Sequence, residues 1–261
     1  MPFTGSHPAA ILPFVRREGT VPSALVIGSV VPDLPYYLPI PVSAGATHSL
    51  IGTLTVDVML GGVLFLLWHL LLAPFSVAVA PAPVRARIDL AHTSRTGPVT
   101  ARGVTQVGLS LAVGAATHAI WDAFTHADGW GTKHIDWLGV QPTGGLPGYR
   151  WAQYVSGVIG AVVIGVWLLR WWRVTPRVAR PGAGRVVAGT TWALMAATSV
   201  CGALARALPG AEPQVSTRTV FLAGTGAAGA GLAAAVLCAG WFVVRRRRAQ
   251  CLRPLDGSAR P

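Results

Sequence analysis

Five long apolar segments constrain this chain more than any other feature of its sequence. Each is long enough to cross a bilayer, which takes about 20 residues of helix. They cover Leu50–Phe75, Val104–Phe124, Tyr154–Trp172, Val186–Leu208 and Val220–Val244. Only 11% of the residues are charged, whereas soluble domains have about 25%. The pattern predicts an all-α, polytopic membrane helix bundle with five spanning helices, whose partner is the lipid bilayer.

The first 45 residues differ because prolines interrupt the apolar pattern. Proline lacks a backbone donor and clashes with the preceding helical turn. Two short helices fit this stretch, Ala9–Arg17 and Pro22–Val31, joined by a turn at Glu18–Thr20. At 1.5 Å per residue each helix is only about 15 Å long, too short to span. We therefore expect a short helical hairpin packed inside the bundle, with a sixth, tilted span as the alternative.

These segments suggest four parts. The N-terminal hairpin covers residues 1–45, the first two spans and the polar site cover 46–153, and three further spans cover 154–248. Residues 249–261 are expected to form a disordered basic cytoplasmic tail. The start, Met1–Ala10, lacks the positive region of a signal peptide, so we expect it to remain on the mature chain.

Arginines predict the orientation of the spans. They cluster after the first, third and fifth spans: Arg85, Arg87, Arg95 and Arg102; Arg173, Arg177, Arg180 and Arg185; and Arg245–Arg248. Because cytoplasmic loops carry an excess of arginine and lysine, we expect a multi-pass protein of the cell membrane with a cytoplasmic C-terminus. The net charge of +12 lies in short segments rather than on one face, so no nucleic-acid partner is predicted.

Small residues crowd the fifth span. The Gly-Ala run Ala223–Ala235 fits two structures. Small residues let helices approach closely in a bilayer, which favours a tight helix–helix contact. A featureless Ala-rich helix is the alternative.

A few ionisable side chains interrupt the apolar sequence. They are His7, Asp33, His48 and the group His118, Asp122 and His126 at the end of the second span. Such residues are costly in a membrane and usually functional. The predicted topology places all of them at the outer leaflet. Imidazole and carboxylate are preferred ligands of zinc and related ions, so we expect a divalent metal, with zinc favoured.

Helical spacing refines the ligand set. His118 and Asp122 are four residues apart, on one helix face and about 6 Å apart along the axis, so one ion can bridge them. His126 lies about 12 Å from His118 along the same axis. His126 therefore binds a second ion, supports the ligands without binding the ion itself (a position behind the ligands), or moves inward because the helix ends before it. The candidate metal ligands are His7, Asp33, His48, His118 and Asp122, with His126 next.

Asp33 and Asp122 are also the candidate catalytic residues, because either carboxylate could act as a general base instead of a ligand. Each candidate taken alone also fits a packing, capping or turn role. Their joint placement at one leaflet is what favours a metal site. Asp57 lies nine residues after His48, on roughly the opposite side of the helix, so we expect it to pair with an arginine or a hydroxyl inside the bundle or to belong to a second polar contact.

Four stretches of the first half resemble one family. They are MPFTGSHPAA (Met1–Ala10), GSVVPDLPYY (Gly28–Tyr37), THSLIG (Thr47–Gly52) and THAIWDAFTH (Thr117–His126). The chain resembles the bacterial membrane family called domain-of-unknown-function family 4184. Its His and Asp arrangement is similar to that of membrane-bound metal-dependent hydrolases and, distantly, of zinc-dependent phospholipase C. The resemblance implies metal ligation by His7, Asp33, His48, His118 and Asp122. The additional acidic and His residues of a full tri-zinc phospholipase site are missing.

Three functions follow from these features. The favoured one is a metal-dependent hydrolase at the outer leaflet that acts on a lipid-like phosphoester. A transporter or ion-binding membrane protein and a non-catalytic membrane scaffold are the alternatives. The oligomeric state stays open.

Overall fold

The computed structural model describes residues 4–88, 100–140, 144–179, 181–210 and 216–251. Regular structure in these ranges is helical, and they contain no strand. The predicted all-α class is confirmed. Arg95, Arg180 and residues 252–261 of the predicted tail lie outside the described residues, while residues 249–251 belong to the last helix.

Five helical stretches within the described ranges are long and apolar enough to cross a membrane. They are Leu50–Val79, Ala101–Thr125, Gly148–Val174, Arg185–Ala207 and Thr217–Arg246. Each overlaps one predicted span, which confirms the number and order of the spans. The chain is therefore a multi-pass membrane protein.

The α-helices are numbered along the chain. They are α1 (Pro22–Val30), α2 (Leu34–Tyr37), α3 (Ala44–Thr47), α4 (Leu50–Leu54), α5 (Val56–Leu67), α6 (Ala73–Val79), α7 (Ala82–Arg85), α8 (Ala101–Thr125), α9 (Trp130–His134), α10 (Asp136–Gly139), α11 (Gly148–Val174), α12 (Arg185–Ala207) and α13 (Thr217–Cys251). The 3-10 helices cover Thr4–Phe14, Val31–Asp33 and Leu208–Gly210, and a π-helix covers Trp68–Leu72.

The chain forms two compact units. Unit 1 comprises Met1–Leu66 and Gly97–Thr175, and unit 2 comprises Leu67–Thr96 and Pro176–Pro261. The candidate site lies in unit 1.

The N-terminal hairpin differs from its prediction in the first helix. A 3-10 helix over Thr4–Phe14 replaces the α-helix expected at Ala9–Arg17, and it contains Pro8 and Pro13. Both prolines lack the N–H that an α-helix interior requires. The second helix, α1, ends one residue before its predicted end. Its nine residues cover only about 14 Å, which is too short for a sixth span.

Close backbone contact fixes α1 against α8 in unit 1. A Cβ atom on Gly114 of α8 would lie 2.3 Å from the carbonyl oxygen of Leu25, and one on Gly28 of α1 would lie 2.3 Å from that of Leu111. Leu25 and Leu111 are fully buried in this contact. Helix α1 therefore packs against α8 within the unit, and the segment after α1 lies beside His118 in the C-terminal third of α8.

Unit 2 contains a second close helix pair. A Cβ atom on Gly226 of α13 would lie 2.2 Å from the carbonyl oxygen of Gly202 of α12. Gly226 belongs to the Gly-Ala run Ala223–Ala235. Of the two structures considered for that run, the tight helix–helix contact is confirmed.

Candidate metal centre

Three separate segments of unit 1 carry the side chains of the candidate centre. Asp33 ends the 3-10 turn that follows α1, and His48 is the C-terminal cap of α3. The Ser49 side chain accepts a hydrogen bond from the Gly52 N–H and caps α4, which leaves His48 just before the first span. His118 and Asp122 occupy successive turns of α8. The structure thus brings together four residues that are up to 89 positions apart in the sequence.

One atom from each of these four side chains lies within 4.8 Å of every other. The His118 Nε2–Asp122 Oδ2 distance is 3.2 Å, and the His48 Nε2–Asp122 Oδ2 distance is 3.3 Å. Asp33 Oδ1 lies 3.5 Å from His48 Nε2 and 3.7 Å from His118 Nε2. A tetrahedral ion with ligand bonds of 2.0–2.2 Å has ligand–ligand distances of about 3.3–3.6 Å. The four imidazole–carboxylate distances of 3.2–3.7 Å lie near that range, and all four atoms lie within 4.8 Å of one another.

Hydrogen bonds on the far side of the rings point Nε2 of both imidazoles into the centre. His118 Nδ1 donates to the Ser29 carbonyl (2.8 Å), and His48 Nδ1 donates to the Ala44 carbonyl (2.9 Å). In the neutral form that binds a metal, Nε2 of each ring would carry a lone pair that faces carboxylate oxygens. An imidazole ligand typically has its other nitrogen held in this way.

Three of the inward-facing atoms are buried without a hydrogen-bond partner in the described part of the chain. They are Asp33 Oδ1, His48 Nε2 and His118 Nε2. Buried polar atoms without partners are rare and need an explanation. One divalent cation would satisfy all three atoms at once. The residues present therefore fit a metal ion.

Hydroxyl groups position the loops around the centre. The Thr4 hydroxyl donates to Asp33 Oδ2 and accepts from the Tyr37 hydroxyl at 2.7 Å. The Thr47 hydroxyl donates to the Pro32 carbonyl at 2.7 Å and so joins the segments that carry His48 and Asp33. Sequence reasoning missed these supporting residues. The one sequence feature that could have indicated them is that Thr47 and Pro32 directly precede the predicted ligands His48 and Asp33.

The two carboxylates make the centre attractive to positive charge. Burial opposes ionisation of Asp33, but the adjacent imidazoles of His48 and His118 and the hydrogen bond from Thr4 lower the pKa of the Asp33 carboxyl. Burial by itself would lower the pKa of His48, yet the carboxylates of Asp122 and Asp33, at 3.3 and 3.5 Å from Nε2, raise that pKa to about 10. A proton or a cation is thus strongly held between the carboxylates.

His7 and His126 contact Asp122 on its other oxygen. His7 Nε2 lies 3.2 Å and His126 Nδ1 lies 3.3 Å from Asp122 Oδ1. His7 also stacks on His118, with ring centroids 4.0 Å apart. Helix α8 ends at Thr125, and His126 is its extended C-terminal cap. His126 thus contacts Asp122 but is not one of the four clustered residues, which fits the second of the three positions considered for it, behind the ligands.

A small cavity adjoins the centre. Its volume is about 20 Å³, and its lining includes His7, Asp33, Asp122 and His126. That volume is sufficient for one water molecule. The His48 and His126 side chains are 24% and 32% exposed, whereas His118 is fully buried. The centre is therefore closed from the side of α8 and partly open at His48 and His126.

Other ionisable residues lie outside this cluster. Asp57 is 1% exposed, and neither of its carboxylate oxygens has a hydrogen-bond partner among the described residues. His134 is exposed, donates to the Trp130 carbonyl and stacks on the Trp130 ring at 4.5 Å.

Comparison with known proteins supplies a family but no closer relative. The model of the family described as Domain of unknown function (DUF4184) matches residues 1–241, which include every residue of the centre. No curated protein and no solved structure matches the chain. The chain therefore belongs to the DUF4184 family.

Proposed function

We propose that this chain is a membrane-embedded hydrolase that depends on a divalent cation, with zinc favoured, and cleaves a lipid-like phosphoester. The observation that supports it is the convergence of two imidazole nitrogens and two carboxylate oxygens, three of these atoms being buried without partners. The arginine pattern supports a location of this centre at the outer leaflet of the cell membrane and of the C-terminus in the cytoplasm.

In this proposal Asp33, His48, His118 and Asp122 hold the cation. When bound, the cation polarises the ester and makes water more acidic. A catalytic centre also needs an open position, whereas a purely structural one is closed. Four protein ligands fill a tetrahedral ion, so catalysis here needs a fifth position, and the water-sized cavity beside Asp33 and Asp122 supports one.

Asp122 is the proposed general base. Hydrolysis joins the oxygen of water to phosphorus, breaks the bond from phosphorus to the alcohol oxygen, and moves a proton from the water to that oxygen. Asp122 Oδ1 borders the cavity and contacts both His7 and His126. It can accept the proton, and the part-exposed His126 can return it to the leaving alcohol. Asp33 is held by Thr4 and acts as a ligand.

One observation favours a second candidate function, ion binding linked to transport. The buried Asp57 carboxylate lies within the first span and has no hydrogen-bond partner among the described residues. Buried carboxylates in membranes can hold cations or relay protons. Cation or proton flux in proteoliposomes that is lost in Asp57→Asn but kept in Asp122→Asn would support this function over hydrolysis.

We expect His118→Ala to lower the rate of hydrolysis by more than about 100-fold. Changing a residue that only hydrogen-bonds to a metal ligand typically costs 10- to 100-fold in metal affinity or activity, and loss of a ligand should cost more. The assay incubates purified protein and zinc with phosphatidylglycerol or phosphatidylethanolamine vesicles and identifies lipid products by mass spectrometry. His134→Ala removes an imidazole outside the centre and should keep full activity. Equal turnover by both variants, or no product from zinc-loaded protein, would contradict the proposal.

A further inference from the structure

An apolar groove lies in unit 1 between the spanning helices α8 and α11. Its volume is about 460 Å³, and its lining includes Ala10, Ile120, Phe124 and Ala152. Small-molecule pockets have volumes of about 300–1,000 Å³. The groove is thus large enough for part of a ligand, and its walls are suited to hydrocarbon.

The groove is continuous with the lipid-facing surface. Both helices that form it are long and apolar enough to span a membrane. Ile120 is 63% exposed and Phe124 is 37% exposed, so the rim of the groove consists of side chains that face the bilayer. An apolar groove at this depth is open to acyl chains rather than to water.

The inner wall of the groove is shared with the candidate metal centre. Trp121 and Thr125 line both the groove and the small cavity beside Asp122. The Trp121 ring lies 5.3 Å from the His7 ring, and its Nε1 donates to the Ser156 hydroxyl of α11 at 3.1 Å. Trp121 and Thr125 therefore form the wall shared by the apolar groove and the polar cavity.

The groove also has a direction. Its residues on α8 run from Thr117 to Thr125, about 12 Å along the helix. Thr125 is the last residue of the span, and Thr117 lies deeper. An elongated ligand that is polar near Thr125 and apolar near Thr117 matches both the groove and the depth of the centre.

We propose that this groove binds an acyl chain of the lipid whose phosphoester lies at the metal centre. The headgroup end lies beside Asp122 and His126, and the chain runs along Ile120 towards Thr117. The claim that this lipid carries a phosphoester at the metal centre rests on the proposed hydrolase function. The acyl-chain site does not, because it depends on the groove alone.

The test uses the full chain in nanodiscs that contain phosphatidylglycerol with a diazirine-bearing acyl chain. After illumination, labelled peptides are mapped by mass spectrometry, and bound zinc is measured in the same samples. Ala152→Phe fills the groove from α11, and Ile120→Trp fills it from its exposed rim. Ile159→Phe is the matched control, since Ile159 lies on the same helix, is 57% exposed and does not line the groove.

We expect wild type and Ile159→Phe to be labelled within residues 117–125 and 152–156. Both groove-filling variants should show about tenfold less labelling there, because displacing two methylene groups from the groove weakens binding by roughly that factor. Their zinc content should equal that of wild type. Even labelling along the lipid-facing surface, or labelling that both filled variants retain, would overturn the acyl-chain site. Groove labelling of a wild-type protein that binds no zinc would instead contradict the proposed hydrolase and leave the chain site standing.

Discussion

Replacing Gly114 by alanine is expected to destabilise unit 1 and to weaken cation binding with it. The new Cβ would lie 2.3 Å from the Leu25 carbonyl oxygen and 2.8 Å from the Ser29 nitrogen. These are backbone atoms of α1, so they cannot move aside as a side chain would. Overpacking of this kind costs about 1–3 kcal/mol or more. Since the Ser29 carbonyl holds His118, separation of α1 from α8 also disturbs the centre.

Gly108→Ala on the same helix is the matched control. A Cβ atom at Gly108 would meet no atom within 4 Å, and alanine favours a helix over glycine by up to about 1 kcal/mol. Thermal unfolding of the two purified variants in one detergent measures the difference. We expect a lower Tm for Gly114→Ala and an unchanged or higher Tm for Gly108→Ala. Equal Tm values would show that α1 and α8 are not in the described contact.

Asp122→Asn is expected to abolish stoichiometric cation binding while keeping the side-chain volume. Asp122 Oδ2 contacts His48 and His118, and its Oδ1 contacts His7 and His126. The substitution removes the charge that all four imidazoles share. Loss of this ligand should weaken zinc binding by more than about 100-fold, because 100-fold is the largest typical loss of affinity when a residue that only supports a ligand is changed. Zinc titration of the purified variant, with a competing chelator, measures the change.

Asp57→Asn provides the comparison for Asp122→Asn. It makes the same chemical change at another buried carboxylate of unit 1. We expect its zinc affinity to match that of wild type, because Asp57 is not among the four clustered residues. Similar losses in the two variants would mean that the cation site is not the one described.

Much of the architecture could be predicted because a bilayer imposes simple length and polarity requirements. A helix that crosses hydrocarbon must be about 20 residues long and apolar, so the five spans are visible in the sequence. Proline spacing predicted the short N-terminal hairpin. The one-turn spacing of His118 and Asp122 predicted their shared face, and the structure contains the expected convergence of Asp33 and His48 with them.

Features that depend on exact three-dimensional contacts could not be predicted. The Thr4 hydroxyl bonds to Asp33 across 29 positions, and no local pattern indicates such a contact. The role of Gly114 depends on where α1 approaches α8. Two imidazoles contact one carboxylate oxygen of Asp122 and two contact the other, and this arrangement depends on side-chain orientation. The groove beside Trp121 arises from the spacing of two helices and has no signature in either.

The central claim is that Asp33, His48, His118 and Asp122 share one cation. X-ray absorption spectroscopy of the purified wild-type chain after zinc loading tests it most directly, with His118→Ala measured in parallel. We predict about one zinc ion per wild-type chain, with imidazole nitrogen and carboxylate oxygen neighbours at about 2.0–2.2 Å, and loss of that ion in His118→Ala. Folded wild-type protein that binds no metal, or that keeps an identical metal environment after His118→Ala, would contradict the claim.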